Sequence, residues 1–141
     1  MVKIKVSEAS GAALNWLVAK CIANLVKDAT LNGVPLHGWW VVGLYADANA
    51  RIKLEHWIPS TKWSQGGPVM DHNNISTFHY ESDEDGKSCE PGWCAFIHAE
   101  RKSYGPTRLI AAMRYLVASK LGDEVEVPDE LTQNSHVFAV T

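Results

Sequence analysis

The sequence of 141 residues lacks most of the features that identify a secreted, membrane-spanning or catalytic protein. Its three cysteines are few and odd in number, which argues against the paired disulfides of a small secreted domain. No apolar run approaches the roughly 18 residues that a membrane-spanning helix needs. Residues 1–6 have the basic start of a signal peptide without its apolar core. We therefore expect a cytoplasmic protein without a membrane partner.

Charge of either sign is also limited, with 13 Lys and Arg against 16 Asp and Glu and a net charge of −3. Such a chain has no overall field that attracts nucleic acid, so we expect no binding of bulk nucleic acid, although a local basic patch is compatible with these numbers. Catalytic motifs of the Gly-x-Ser-x-Gly, His-Glu-x-x-His and Walker types are missing from the sequence. We predict a protein that is not an enzyme and takes no cofactor.

Tryptophan, in contrast, is abundant, with six residues where average usage gives about two. Trp39 and Trp40 are adjacent in a predicted strand and must therefore point to opposite faces. One of them belongs in the core, and the other faces a second layer, a partner or a ligand. Trp16 lies off the apolar stripe of its predicted helix, so it either packs in a second layer or forms a contact surface.

The C-terminal third, residues 104–128, holds the clearest element of the chain. Thr107 or Pro106 suits the start of a helix and Gly122 its end, which predicts a helix of about four turns between them. The apolar face of this helix recurs at intervals of three and four residues. Its members are Leu109, Ile110, Met113, Leu116 and Val117.

Elsewhere, periodicity and turn residues predict a second helix and several strands. The helix runs from Gly11 to about Lys27, with Ser7 or Ser10 as its cap, and Asn32-Gly33 forms a turn. Predicted strands cover residues 3–6, 34–45, 51–58, 75–80 and 93–99, and the second and third of these form a hairpin. A loop is predicted over residues 59–68 and an acidic turn over residues 81–87. Residues 136–140 are predicted to form either a short strand or part of a loose tail over 129–141.

These elements predict one α+β domain over residues 1–141, with two principal helices packed on a mainly antiparallel sheet. Three blocks of the sequence also resemble the phage NinX-like family of small proteins of unknown function. They are SGAALNW with VAK at residues 10–20, PSTKWSQGGP at 59–68, and YGPT, LIAAMR and VASKLGDEVEVP within 104–128. The chain departs from the family pattern in a longer segment over 22–51 and in Arg108, where a proline is expected.

The resemblance implies a tailed-phage accessory protein that acts in the cytoplasm of an infected bacterium. It implies no particular activity. The function must therefore be sought in the residues themselves.

A candidate ligand site combines the Gly-Gly loop at 59–68 with the start of the C-terminal helix. The glycines permit close approach of a ligand, the aromatic rings offer stacking faces, and Arg101, Lys102 and Arg108 surround a helix start that favours an anion. The alternative is a rigid loop that only starts a helix. The residues predicted to bind a ligand are Trp63, Gln65, Gly66, Gly67, Tyr104, Thr107 and Arg108.

Two weaker sites are a metal cluster and an acidic surface. Cys89, Cys94 and His98, with His72 and His79 nearby, have a spacing unlike common zinc motifs, so structural roles also suffice. The acidic stretches at 81–87 and 123–126 are either solvated surface or a mimic of nucleic acid directed at a host protein.

The leading hypothesis is a phage protein that evades host immunity by sequestering a small nucleotide-like signal. The alternative is an inhibitor that binds a host protein through its exposed aromatic or acidic surface. A homo-oligomeric state remains open under both hypotheses.

Overall fold

The computed structural model describes residues 1–80, 92–97 and 102–132. The helices in this part include α1 (Gly11–Ile22), α2 (Trp63–His72) and α3 (Arg108–Leu121). The strands are β1 (Val2–Lys5), β2 (Asn24–Lys27), β3 (Thr30–Leu31), β4 (Val34–Pro35), β5 (Trp39–Val42), β6 (Arg51–Lys53), β7 (Ser76–Tyr80), β8 (Gly92–Phe96), β9 (Ser103–Gly105) and β10 (Glu124–Val127). The predicted segments at 81–87 and 136–140 lie outside the described residues.

The strands pair antiparallel throughout the described part, which confirms the predicted α+β class. They form several small sheets, with the orders β1-β10, β2-β5-β6, β3-β4 and β7-β8-β9. The predicted turn at Asn32-Gly33 joins β3 to β4, and both residues have the positive φ that such a tight turn requires. The predicted hairpin corresponds to β5 and β6.

The predicted C-terminal helix is confirmed as α3. The Thr107 Oγ1 caps it by accepting a hydrogen bond from the Ile110 N–H at 3.1 Å, and Gly122 ends it with φ 95°. Leu109, Met113 and other apolar residues of the predicted face are buried. The helix packs against α1, α2 and the β7-β8-β9 sheet, so it lies at the centre of the core.

Three predicted boundaries are wrong because tertiary pairing and packing outweigh the local pattern. The strand predicted over 34–45 consists of two shorter strands, β4 and β5, and Leu44–Ala46 form a 3₁₀ turn. The first helix ends at Ile22 instead of Lys27, since residues 24–27 form β2 and exchange backbone hydrogen bonds with β5. The strand predicted over 51–58 ends at Lys53, and a 3₁₀ turn follows. Leu54 and Trp57 are three residues apart and would face opposite sides of a strand, whereas this turn lets both reach the core.

A further correction concerns residues 59–68, which the sequence predicts as a loop. Trp63 instead begins helix α2, which contains Gly66, Gly67 and Pro68. Gly66 is buried, and a Cβ on it would lie 2.6 Å from the Leu109 Cδ2 and even closer to the Pro59 carbonyl oxygen. The glycine therefore serves close packing between α2 and α3 rather than an unusual backbone angle.

The three N-terminal tryptophans differ in exposure. Trp16 is buried and meets the half-buried Trp39 edge to face, with 5.8 Å between the ring centroids. Trp40 is also half-buried, and its indole N–H donates to the His37 carbonyl at 3.1 Å. Trp16 is therefore a core residue. No helix in the described ranges is long and apolar enough to cross a membrane.

We predict that Met113→Ala lowers the free energy of unfolding by ~2–5 kcal/mol, because it leaves a cavity beneath α3 where the side chain is fully buried. The exposed Lys120 on the same helix provides the control, and Lys120→Ala should change stability by about 0.5 kcal/mol or less. Urea denaturation measures both variants. Equal stability of the wild type and Met113→Ala would contradict the assignment of the buried face.

Candidate functional site

An open cavity of about 370 Å³ lies between the start of α2, the start of α3 and strand β8. Trp63 is the first residue of α2 and Arg108 the first of α3, so two helix N-termini meet at this cavity. Trp93 reaches it from β8. The full lining is Ser60, Thr61, Trp63, Trp93, Pro106, Thr107, Arg108 and Leu109.

The position of Trp93 follows from the strand register. Trp93 stands opposite His79 of β7 and Gly105 of β9, so these three residues share one face of the sheet. That face carries α3, because a Cβ on Gly105 would lie 2.8 Å from the Ala111 backbone nitrogen. The sheet therefore places the Trp93 indole beside the first turn of α3.

The Arg108 guanidinium contacts two indole rings. Its Cζ lies 4.2 Å from the ring centroid of Trp93 and 5.6 Å from that of Trp63. These distances are in the range of cation–π attraction, which orients the charge at the cavity. Trp63 is 52% exposed, so much of its ring surface remains accessible to a ligand.

The electrostatics of the cavity favour an anion. Arg108 is its one charged residue among those described, and the other polar side chains are the hydroxyls of Ser60, Thr61 and Thr107 and the two indole N–H groups. The first N–H groups of a helix have no partner within the helix, and its dipole adds partial positive charge at this end. The Arg108 cation, the helix dipoles and the hydrogen-bond donors therefore all favour the binding of an anion.

The structure brings three of the predicted site residues together at the cavity: Trp63, Thr107 and Arg108. Gln65 lies in α2 but is engaged elsewhere. Its Oε1 accepts from the Ile58 N–H at 2.6 Å, and its Nε2 donates to the His56 carbonyl at 2.8 Å. The Gln65 side chain therefore stabilises the backbone of residues 56–58, which precede α2.

The remaining predicted residues lie near the cavity without lining it. Gly66 is buried in the contact between α2 and α3, and a Cβ on Gly67 would lie 3.7 Å from the Trp63 ring. Tyr104 is 51% exposed on β9, opposite Cys94 in the register, and its carbonyl accepts from the Arg114 Nη1 at 2.9 Å. The exposed Lys102 lies 6.0 Å from the Phe78 ring, and Arg101 falls outside the described residues.

Five residues of the cavity lining were not among the predicted ligand-binding residues: Ser60, Thr61, Trp93, Pro106 and Leu109. Ser60 and Thr61 belong to the Gly-Gly segment, but serine and threonine are too common in loops to stand out there. Trp93 offered a better signal, because it is a large aromatic residue in a predicted strand, where its side chain must point to the face opposite to that of Cys94. Knowing which face α3 covers would have been necessary to use that signal.

The cysteine and histidine group considered as a weak metal candidate lies partly outside the described residues, since these do not include Cys89 and His98. Cys94 is buried on β8, and burial raises the pKa of its thiol, so it stays protonated and poorly nucleophilic near neutral pH. Within the described ranges, His, Cys, Asp and Glu side chains form no group of three or more that would hold a metal ion.

Comparison with protein-family models matches residues 5–120 to the family described as Bacteriophage P22, NinX. The chain belongs to this family. The match confirms the resemblance noted in the sequence and includes α1, α2 and every residue that lines the cavity. No curated protein matches the chain. Membership in the family makes the protein a bacteriophage accessory protein.

The two adjacent glycines of α2 allow a matched test of the contact that shapes the site. Gly66→Ala should destabilise the protein by about 2 kcal/mol or more, because its Cβ would overlap Leu109 and the Pro59 carbonyl. Gly67→Ala should be neutral or stabilising by up to about 1 kcal/mol, since its Cβ would lie 3.7 Å from the Trp63 ring and alanine favours helix.

Thermal denaturation of both variants measures the difference. Two glycine-to-alanine changes with the same effect on the melting temperature would show that α2 and α3 do not meet as closely as described.

Proposed function

We propose that this phage accessory protein binds a small nucleotide-like molecule in the cavity between α2, α3 and β8, and that it sequesters this molecule from a host defence. One observation carries the proposal: the Arg108 guanidinium stands against two indole rings at the start of α3. A stacking surface and a cation at one small cavity match two of the chemical parts of a nucleotide, its base and its phosphate.

The base is accommodated by the exposed ring of Trp63. Stacking of a base on an aromatic side chain typically contributes ~1–3 kcal/mol and is tolerant of base identity. The Arg108 Cζ lies 5.6 Å from the centroid of this ring and 4.2 Å from that of the neighbouring Trp93. Arg108 is exposed, so its side chain can turn toward a bound phosphate without disturbing buried packing.

The phosphate is accommodated by charge and by hydrogen-bond donors. Arg108 supplies a permanent cation, and the first turn of α3 supplies backbone N–H groups with a favourable dipole. The described lining contains no carboxylate that would repel an anion. An anionic ligand is therefore favoured locally although the whole chain carries a net charge of −3.

Size and chemistry favour capture of a small molecule over turnover or polymer binding. A cavity of about 370 Å³ is within the ~300–1,000 Å³ range of small-molecule sites. Its described lining includes no histidine, cysteine or carboxylate that would act as a general base or nucleophile. Binding without chemistry is what a sequestering protein requires, and the cytoplasm of the infected host is where such a signal would be met.

The remaining predicted residues do not line the cavity, but some of them hold the elements that form it. Gly66 allows the close approach of α2 to α3, Gly67 lies beside the Trp63 ring, and Gln65 holds the segment before α2. Direct contact of Gln65 or Tyr104 with the ligand stays a prediction.

Two substitutions test the proposal by calorimetry with whichever nucleotide raises the melting temperature most. Trp63→Ala should weaken binding by ~1–3 kcal/mol and leave its salt dependence nearly unchanged, because stacking is not screened by salt. Arg108→Ala should weaken binding and also flatten its dependence on salt, because the lost contact is electrostatic. Both variants should remain folded, since both side chains are exposed.

Matched controls come from residues outside the cavity. Lys102→Ala removes an exposed cation, and Tyr45→Ala removes an aromatic ring that is 46% exposed, so neither should change affinity by more than about twofold. Absence of binding by any nucleotide, together with a host protein that is captured by the wild type and lost with Trp40→Ala, would favour the inhibitor hypothesis instead. Trp16 cannot serve as that anchor because it is buried.

A further inference from the structure

Ser60 is an unusual member of the cavity lining because it is only 1% exposed, and its Oγ is buried without a hydrogen-bond partner. A buried hydroxyl without a partner costs about 1–3 kcal/mol, so native proteins rarely leave one unpaired. The other such atom in the described part of the chain, the Trp16 Nε1, belongs to a residue outside the cavity lining.

A buried polar network fixes the position of Ser60. Its backbone N–H donates to the Asn15 Oδ1 at 3.1 Å, and Asn15 is itself 4% exposed. The Asn15 carbonyl accepts from the Trp57 Nε1 at 3.1 Å. Asn15 of α1, which is itself bound by Trp57, thus fixes the Ser60 backbone beside the cavity, and the Ser60 Oγ is the buried polar atom of the lining that lacks a hydrogen-bond partner.

Further donors lie along the same lining. Thr107 accepts from the Ile110 N–H through Oγ1, which leaves its own hydroxyl hydrogen available to donate. Arg108 and Leu109 are the first two residues of α3, where backbone N–H groups have no partner within the helix. A helix start and a buried unpartnered hydroxyl therefore belong to one cavity.

We infer that these groups form a phosphate subsite, and that the ligand is a nucleotide that enters with its phosphate inward and its base outward on Trp63. The inference rests on the proposed function and narrows it to phosphorylated ligands. The direction follows from burial, because Ser60 is 1% exposed whereas Trp63 is 52% exposed. A phosphate accepts hydrogen bonds from hydroxyl and backbone donors together, and those bonds are strong because the acceptor is charged.

The test compares adenosine, guanosine, cytidine and uridine with their 5′-monophosphates, in the wild type and in Ser60→Ala. We expect the phosphate to strengthen binding to the wild type by tenfold or more, and Ser60→Ala to reduce this gain about tenfold. The affinity for the nucleosides should stay the same. The melting temperature of Ser60→Ala should be unchanged or higher, because the change removes an unpaired buried group.

Ser64 provides the matched control, since it is an exposed serine of α2 outside the cavity lining, and Ser64→Ala should keep the full gain from the phosphate. Inorganic phosphate separates the phosphate group from the rest of the nucleotide. It should compete with the monophosphate for the wild type and compete at least tenfold less well for Ser60→Ala.

Three results would overturn the inference. Equal affinity of the wild type for nucleosides and monophosphates would contradict the phosphate subsite, whereas the proposed binding of a nucleotide-like ligand would stand. If Ser60→Ala weakened the binding of nucleosides and monophosphates equally, Ser60 would maintain the shape of the cavity and would not bind the phosphate. Absence of binding by either ligand type would overturn the proposed function together with the subsite.

Discussion

The contact between Gly66 of α2 and Leu109 of α3 is the constraint on which the site depends. A Cβ at position 66 would lie 2.6 Å from the Leu109 Cδ2 and even closer to the Pro59 carbonyl oxygen, whose backbone position cannot easily shift, so glycine is required at this contact. Leu109 is buried in the main core, which ties α2 to the central helix. Because Trp63 and Arg108 begin these two helices, the same contact sets the separation of the indole ring and the guanidinium.

The cavity also shows why net charge is a poor guide to a local site. The chain carries a net charge of −3, yet the described lining holds one cation, two helix starts and no carboxylate. Fields from exposed charges are screened within about 10 Å at ordinary ionic strength, so a small cavity responds mainly to its own lining. An anion-binding site is thus compatible with a mildly acidic protein that has no general affinity for nucleic acid.

Sequence reasoning succeeded where the signal was local. The spacing of Leu109 and Met113, the cap at Thr107 and the end at Gly122 all act within a few residues of one helix, and α3 was predicted correctly. It failed where a distant partner decided the outcome. Residues 24–27 continue a helical pattern but pair with β5, and the Gly-Gly segment carries loop residues but forms α2 against α3.

By itself the sequence determined the family, the α+β class, the central helix and the candidate status of Trp63, Thr107 and Arg108, because each of these is carried by a contiguous motif or a short periodicity. The tertiary structure alone decided which residues share the cavity. It added Trp93 and Ser60 and placed Gln65 and Tyr104 outside the lining. The physical reason is that strand register and helix packing join residues from distant parts of the chain, and no local pattern records those contacts.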